Sequence, residues 1–257
     1  MRWRLGVVGF PVAHSLSPRL HQAGLALAHL EGESTTLELR EDQAHELRGL
    51  MGGRFDALSV TMPLKGIARA LADDVDEVAA RVGAVNSLLL RDGRLLGANT
   101  DGPGLLDALE AELSFSPSGR RVVLLGAGGA ARGIADALVR GGSHVRVRAR
   151  RPDAARELAD LVPGVVTDDD GGPIDLVVNT TPVTGRPDPE LERGAGPGTV
   201  VVDITYEPRR TPWRALYDGA GCATANGLGM LAYQAARQMS WWWDRPVDGA
   251  RLREVIA

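Results

Sequence analysis

Of its 257 residues the chain has one cysteine, Cys222, and 4% aromatic residues, and no apolar run approaches the roughly 18 residues a membrane-spanning helix needs. A single thiol excludes an internal disulfide and suits a reducing compartment. Charge of one sign is also scarce. The 29 Lys and Arg against 33 Asp and Glu leave a formal net charge of -4. No global basic field therefore draws the chain to nucleic acid or an acidic membrane, and any anion preference must be local. Low-complexity tracts and fixed-period repeats are lacking as well, so disorder is not the natural reading. The opening apolar run LGVVGF is too short for the hydrophobic core of a signal peptide and is broken by Gly and Pro. It reads as the first strand of a cytoplasmic protein.

What is present is alternation. The 32 Gly and 15 Pro punctuate short β-branched runs and helical patterns. RLGVVGF (4–10) reads as a strand, and Ser17-Pro18 opens a helix with Ser17 as N-cap. TTLELR (35–40) alternates like a strand, and EDQAHELRGLM (41–51) reads as a helix stopped by Gly52-Gly53. ALSVTM (57–62) follows as a strand, LKGIARALA (64–72) as a helix, and VDEVAARV (75–82) as a helix ended by Gly83. AVNSLLL (84–90) and RLLGANT (94–100) flank Asp92-Gly93, a strong hairpin signal. PGLLDALEAEL (103–113) is a helical pattern, and the polar SFSPSG (114–119) marks a restart.

The second half repeats the βαβ rhythm. RRVVLLG (120–126), HVRVRAR (144–150), DLVVNT (175–180) and TVVVDIT (199–205) read as strands. The last two are near-continuous apolar runs, as expected for a parallel sheet covered on both faces. Helical patterns fill the gaps, and LGMLAYQAARQMSWWW (228–243) is the longest. The alternation predicts two α/β units, the first with a mixed sheet because of its hairpin.

GAGGAA (126–131) follows a strand and opens a helix. Gly126, Gly128 and Ala131 occupy the three slots of G-x-G-x-x-A. Gly126 makes the turn, Gly128 lets backbone approach a pyrophosphate, and Ala131 allows close helix–strand packing. The helix N-terminus then offers free N–H groups to phosphate. A tight turn without a ligand is the plainer alternative. About 20 residues on, where an acid often binds ribose hydroxyls, the chain has Arg148, Arg150 and Arg151. A guanidinium suits a 2′-phosphate, so the arginines favour NADP over NAD. Arg150 and Arg151, at the strand end, are the candidates; Arg146 and Arg148 read as solvated or salt-bridged.

Other chemistry lies outside this loop. HSLSP (14–18) presents Ser15 and Ser17 at a helix entry, where hydroxyls and amides suit a carboxylate. SVTMPLK (59–65) places Thr61 at a strand end and Lys65 at a helix start. A cation there opposes the helix dipole, a cost that points to a task. GAVNS (83–87) presents Asn86 within a strand, and NTDGPG (99–104) presents Asp101 as the chain leaves one. Hydroxyl, amide, ammonium and carboxylate from several strand ends suit a small polyol acid. No cluster has the ligand spacing of a metal site.

In their order and spacing HSLSP, VTMPLK, GAVN, NTD, GAGGAAR, DITYEP (203–208) and GLGMLAYQ (227–234) resemble the shikimate dehydrogenase family nearly end to end. The resemblance implies reversible NADPH-dependent reduction of 3-dehydroshikimate to shikimate. It implies that Ser15 and Ser17 hold the substrate carboxylate with Tyr206 nearby, and that Thr61, Asn86, Asp101 and Gln234 bond the ring hydroxyls. Lys65 and Asp101 form the implied catalytic pair. Gly126, Ala127, Gly128, Gly129 and Ala130 would cradle the pyrophosphate, and Arg150 with Arg151 the 2′-phosphate. Ile204, Gly227 and Met230 would border the nicotinamide. The implied fold is α/β in two domains. A mixed-sheet substrate domain spans about 1–100 plus 227–257, and a Rossmann-like NADP-binding domain spans 101–226. The C-terminal helices return to the first domain, the active site lies in the cleft, and the domains close about a hinge. A monomer or homodimer with no nucleic-acid or membrane partner is expected. A quinate or amino-analogue dehydrogenase, and a non-catalytic NADP-binding regulatory module, are the alternatives.

Three departures stand out from the family pattern. Ser59 replaces the usual Asn, altering one contact at or behind the substrate. Ala149-Arg150-Arg151 replaces the usual Asn-Arg-Thr. Trp241-Trp242-Trp243 replaces a single tryptophan, and since consecutive helical residues point about 100° apart, the three cannot share one face. At least one is expected in the core.

Overall fold

The computed structural model describes residues 2–168, 171–182 and 194–257. The chain divides into two compact units, Met1–Gly104 with Leu231–Ala257, and Leu105–Met230.

The first unit contains β1 (Arg2–Gly9), α1 (Ser17–Leu27), β2 (Glu31–Glu38), a 3-10 stretch (Glu41–Glu46) running into a single helical turn α2 (Leu47–Leu50), β3 (Ala57–Val60), α3 (Lys65–Leu71), β4 (Asp74–Val75), α4 (Glu77–Val82), β5 (Ser87–Arg91) and β6 (Arg94–Ala98). The six strands form one sheet in the order β2-β1-β3-β5-β6-β4. β1 runs parallel to β2 and β3, whereas β5 is antiparallel to both β3 and β6. The sheet is mixed for the reason expected. Asp92 and Gly93 take φ of 52° and 74° and close the β5–β6 hairpin. Because β5 alone is reversed among the central strands, its N-terminal end lies beside the C-terminal ends of β1, β3 and β6. One edge of the sheet thus gathers four chain segments.

Several local expectations need correction. Ser17 does not cap α1: it is the first helical residue, Leu16 occupies the cap position, and the Ser15 hydroxyl accepts from Ser17 N–H at 3.2 Å. The 41–51 segment is not a continuous α-helix but a 3-10 stretch and one turn; Gly49 inside it and Gly52-Gly53 after it disfavour propagation. Helix α4 starts at Glu77, not Val75, because the Asp76 carboxylate accepts from Ala79 N–H at 2.7 Å, leaving Asp74 and Val75 to pair with β6 as β4. Asn86 stands just before β5 rather than within a strand.

Helix α5 (Asp101–Leu113) carries the chain into the second unit, starting two residues earlier than the sequence pattern suggests. There follow β7 (Arg121–Leu125), α6 (Gly129–Arg140), β8 (His144–Arg148), α7 (Pro152–Leu161), β9 (Val165–Val166), β10 (Leu176–Asn179), β11 (Val200–Asp203), α8 (Pro212–Gly219) and β12 (Ala223–Asn226). The strands order as β12-β11-β10-β7-β8-β9, and every pairing is parallel. This is a doubly wound sheet whose order reverses between β7 and β10, the place where such folds bind ligands. Alternate residues face opposite layers. Val122, Leu124, Leu176 and Val178 cluster with Ile134 and Leu138 of α6, while Val123, Val177 and Val201 cluster with Trp213 and Tyr217 of α8.

Helix α9 (Leu228–Trp243) returns to the first unit, and α10 (Gly249–Val255) follows with Asp248 as its cap. Trp242 is 1% exposed and meets His21 edge-on at 5.2 Å; Trp243 meets Trp3 at 6.1 Å. Two members of the Trp run therefore lie in the core of this unit. Among the described residues no helix is long and apolar enough to cross a membrane.

Candidate active site

The gathered edge of the first sheet carries the polar residues. The loop after β1 brings Ser15 and Ser17. The end of β3 brings Thr61, and α3 begins at Lys65. The reversed start of β5 brings Asn86, and the end of β6 brings Asn99, Thr100 and Asp101. Lys65 Nζ lies 2.6 Å from Asp101 Oδ2, with the two side chains only 13% and 6% exposed. Asn86 Nδ2 donates to the other oxygen, Asp101 Oδ1, at 2.9 Å. Gln234 of α9 turns its Oε1 toward the same amide at 3.3 Å. So the structure brings Lys65, Asp101, Asn86 and Gln234 into one constellation.

The local reasons are visible. Asp101 sits at the N-terminus of α5, where a carboxylate complements the dipole, and its own N–H donates to Asn99 Oδ1 at 3.1 Å. Lys65 sits at the N-terminus of α3, where its charge is unfavourable. A largely buried ion pair contributes little net stability after desolvation. Two oppositely charged groups held in this way, against helix preference on one side, are better accounted for by chemistry at that spot than by folding.

Sequence reasoning missed Thr100. Its N–H donates to Asn86 Oδ1 at 2.9 Å and its hydroxyl to Gln234 C=O at 3.1 Å, holding both residues. The signal was its place inside NTD, between the residue that holds Asp101 and Asp101 itself. Ser15 and Ser17 lie together at the entry to α1. Among the described residues Ser15 Oγ only accepts, so its proton is unspent on the protein. Thr61 is partly exposed at the end of β3 and bonds through its backbone, N–H to Val8 C=O at 2.9 Å.

In the second unit the glycine loop lies at the β7/β10 switch point. Gly126 has φ +107°, and a Cβ there would collide with Thr180 Oγ1, so only glycine fits. Its N–H donates to Arg148 C=O at 2.7 Å, which ties the loop to the end of β8, two residues before Arg150. Ala127 bridges the turn; Gly128 is the cap residue of α6, with Gly129 and Ala130 opening the helix. No side chain caps this end, and a Cβ on Gly128 would meet nothing within 4 Å. Free N–H groups beside open space, at a helix of three turns, fit a pyrophosphate. Arg150 and Arg151 are exposed and, among the described residues, their side chains bond no protein group. Such guanidinium groups fit a phosphate at the strand end.

On the far side of the switch point Ile204 and Tyr206 follow β11. Asp203 is fully buried and accepts from Thr211 Oγ1 at 2.6 Å and from Thr205 N–H at 3.1 Å, fixing that turn. Gly227 fits under it so closely that a Cβ would overlap the Ile204 C=O. Met230 is buried in the α6-side core.

With this geometry in hand, comparison with known proteins is specific. Residues 7–88 match the family described as shikimate dehydrogenase substrate binding domain. The chain is 39% identical over 272 residues to shikimate dehydrogenase (NADP(+)) of Citrifermentans bemidjiense, covering 98% of this chain and 94% of that one. It is 33% identical over 272 residues to the enzyme of the same name from Geobacillus kaustophilus, covering 98% and 96%. Among solved structures, shikimate 5-dehydrogenase from Thermus thermophilus in complex with NADP(H) and shikimate superposes with a TM-score of 0.88 at 34% identity, covering 99% of this chain and 98% of that one. Side chains at one sheet edge, a glycine loop at the switch point of the other and full-length similarity to these enzymes lead to one assignment: the chain belongs to the shikimate dehydrogenase family.

Proposed function

We propose that this protein is an NADP-dependent shikimate dehydrogenase, interconverting shikimate and 3-dehydroshikimate, with Lys65 and Asp101 as the catalytic pair. The observation that carries the reading is the 2.6 Å contact between Lys65 Nζ and Asp101 Oδ2, cross-held by Asn86. Bound NADP supplies the hydride acceptor, or NADPH the donor. In the direction of ketone reduction an alkoxide develops on the substrate oxygen. An ammonium beside that oxygen stabilises the charge and gives up a proton. Asp101 orients the ammonium, and in the reverse direction the pair takes the hydroxyl proton.

The remaining residues bind. Ser15 and Ser17 donate their hydroxyl protons to the substrate carboxylate, with Tyr206 adding a third hydroxyl. Thr61, Asn86 and Gln234 fix the ring hydroxyls. In the second unit the backbone from Gly126 to Ala130 receives the pyrophosphate, Arg150 and Arg151 clamp the 2′-phosphate, and Ile204, Gly227 and Met230 border the nicotinamide. Met1–Gly104 with Leu231–Ala257 act as the substrate domain and Leu105–Met230 as the NADP domain, so the expected boundaries at 100/101 and 226/227 each move by four residues. Every assigned residue comes from one chain, so a monomer or a homodimer suffices. The free buried thiol of Cys222 accords with a cytoplasmic location.

The test is a matrix of initial rates, shikimate or quinate against NADP or NAD, followed by absorbance of the reduced nicotinamide. Fast turnover only with shikimate and NADP is expected. Equal rates with NAD would remove the role given to Arg150 and Arg151, and quinate preferred over shikimate would overturn the substrate.

A further inference from the structure

Behind Asn86 lies a second set of polar side chains that the proposed chemistry does not use. His21 of α1 is fully buried. Its Nδ1 lies 2.7 Å from Ser34 Oγ on β2, and its Nε2 lies 3.0 Å from Ser59 Oγ on β3. Ser59 Oγ lies 2.6 Å from Gln238 Oε1, and Gln238 Nε2 lies 3.0 Å from the backbone C=O of Asn86. Ser59, 6% exposed, is also the position at which the sequence departs from its family's usual residue.

The donors in this chain follow one another without choice. A backbone carbonyl only accepts, so the Gln238 amide must turn its N–H₂ to Asn86 and its oxygen to Ser59. Ser59 has one proton and gives it to that oxygen. His21 must then donate Nε2–H to Ser59, which leaves Nδ1 to accept from Ser34. Burial pushes the His21 imidazole down to about 3, so the ring stays neutral and this tautomer is the one that fits. A fully satisfied buried network of this kind fixes one arrangement of its members.

What it fixes is residue 86. Its carbonyl accepts from Val60 N–H at 2.7 Å as well as from Gln238, so both lone pairs are used. Gln234 and Gln238 are four apart on α9 and share a face. The first reaches the side chain of Asn86, the second its main chain.

We infer that Ser59 is a positioning residue for the reaction: through Gln238 it holds the Asn86 backbone, and so aims the Asn86 amide at the substrate and at Asp101. This rests on the function proposed above. Ser59 itself touches no reacting atom. Its removal leaves Gln238 Oε1 without a donor and frees that amide to rotate.

The experiment is steady-state kinetics of Ser59→Ala and Gln238→Met beside the unaltered protein, with shikimate and NADP each varied and melting temperature recorded. Gln238→Met keeps the length of the side chain and removes both ends of the bridge, so it serves if Ser59→Ala fails to fold. Each variant should raise KM for shikimate about tenfold, the worth of one buried hydrogen bond, with KM for NADP within twofold. The double variant should be no worse than either single one, because both break the same chain. Variants with a lowered melting temperature and both KM values within twofold would overturn the inference, leaving Ser59 a purely structural residue. Turnover of shikimate by the unaltered protein separates the two claims: without it both fall, and with it only the role of Ser59 is in question.

Discussion

The two units differ in the groups they present. The first holds its polar groups as side chains, drawn from the entry to α1, the segment after β3, α3, the residue before β5, the start of α5 and α9, with those of Lys65, Asp101, Asn86 and Gln234 bonded to one another at 2.6 to 3.3 Å. The second offers mostly backbone, a glycine turn and a helix end, with two exposed arginines beyond it. Side chains can be matched to the stereochemistry of one ring, whereas backbone amides fit any pyrophosphate. On the proposed function, substrate specificity is assigned to the first unit, and cofactor identity to Arg150 and Arg151 in the second.

The contrast can be broken in each unit in turn. Asp101→Asn keeps the shape of the side chain but removes the charge that orients Lys65. Turnover of shikimate should fall by about a thousandfold, within the range of lost acid–base catalysis, with KM for NADP little changed. Gly126→Ala attacks the other unit. The φ of +107° and the close approach of Thr180 Oγ1 leave no room for a methyl group. The strain costs about 1–2 kcal/mol of stability, read from a urea midpoint. On the cofactor side, kcat/KM for NADP should fall about a hundredfold while shikimate binding to the free enzyme persists, as expected for a displaced phosphate loop. Replacing both Arg150 and Arg151 with Ala should raise KM for NADP by about tenfold or more, as expected for lost charge-assisted bonds, and leave KM for NAD unchanged.

How much of this was legible depends on distance along the chain. The hairpin at Asp92-Gly93 and the loop at 126–131 are written in adjacent residues, and local rules suffice for both. β9 and β12 were not legible, since they span two and four residues and exist only through pairing with β8 and β11. Lys65 was visible as a cation misplaced at a helix start. Asn86 and Asp101 were visible by residue type and by family resemblance, Asp101 also as the implied partner of Lys65, but not as partners of each other. The chain from His21 through Ser59 to Gln238 joins residues from three elements far apart in sequence, and no local pattern marks it. Its one trace was the unusual serine, whose consequence needed the fold.

A smaller effect sharpens the picture of the first unit. His21 is held near a pKa of about 3 by burial, well below its ordinary 6.5. Between those values the unfolded chain binds a proton that the native state refuses. Stability conferred by the neutral ring is thus full above pH 6.5 and is lost as pH falls toward 3, by up to about tenfold in the folding constant per pH unit. Chemical denaturation at a series of pH values from neutral down to about 4 should show this slope, and His21→Phe should flatten it.

The most direct measurement is made on Lys65→Ala. Shikimate binding is followed by calorimetry and NADP-linked turnover by absorbance, on the same preparation. Binding within about tenfold of the unaltered protein, with turnover down about a thousandfold or more, is the predicted result, because on the proposed assignment Ser15 and Ser17 still hold the carboxylate and Asn86 and Gln234 the ring hydroxyls while the ammonium is gone. Turnover that survives the loss of this ammonium would contradict the assignment, since the 2.6 Å pair would then be a structural ion pair and the chemistry would lie elsewhere.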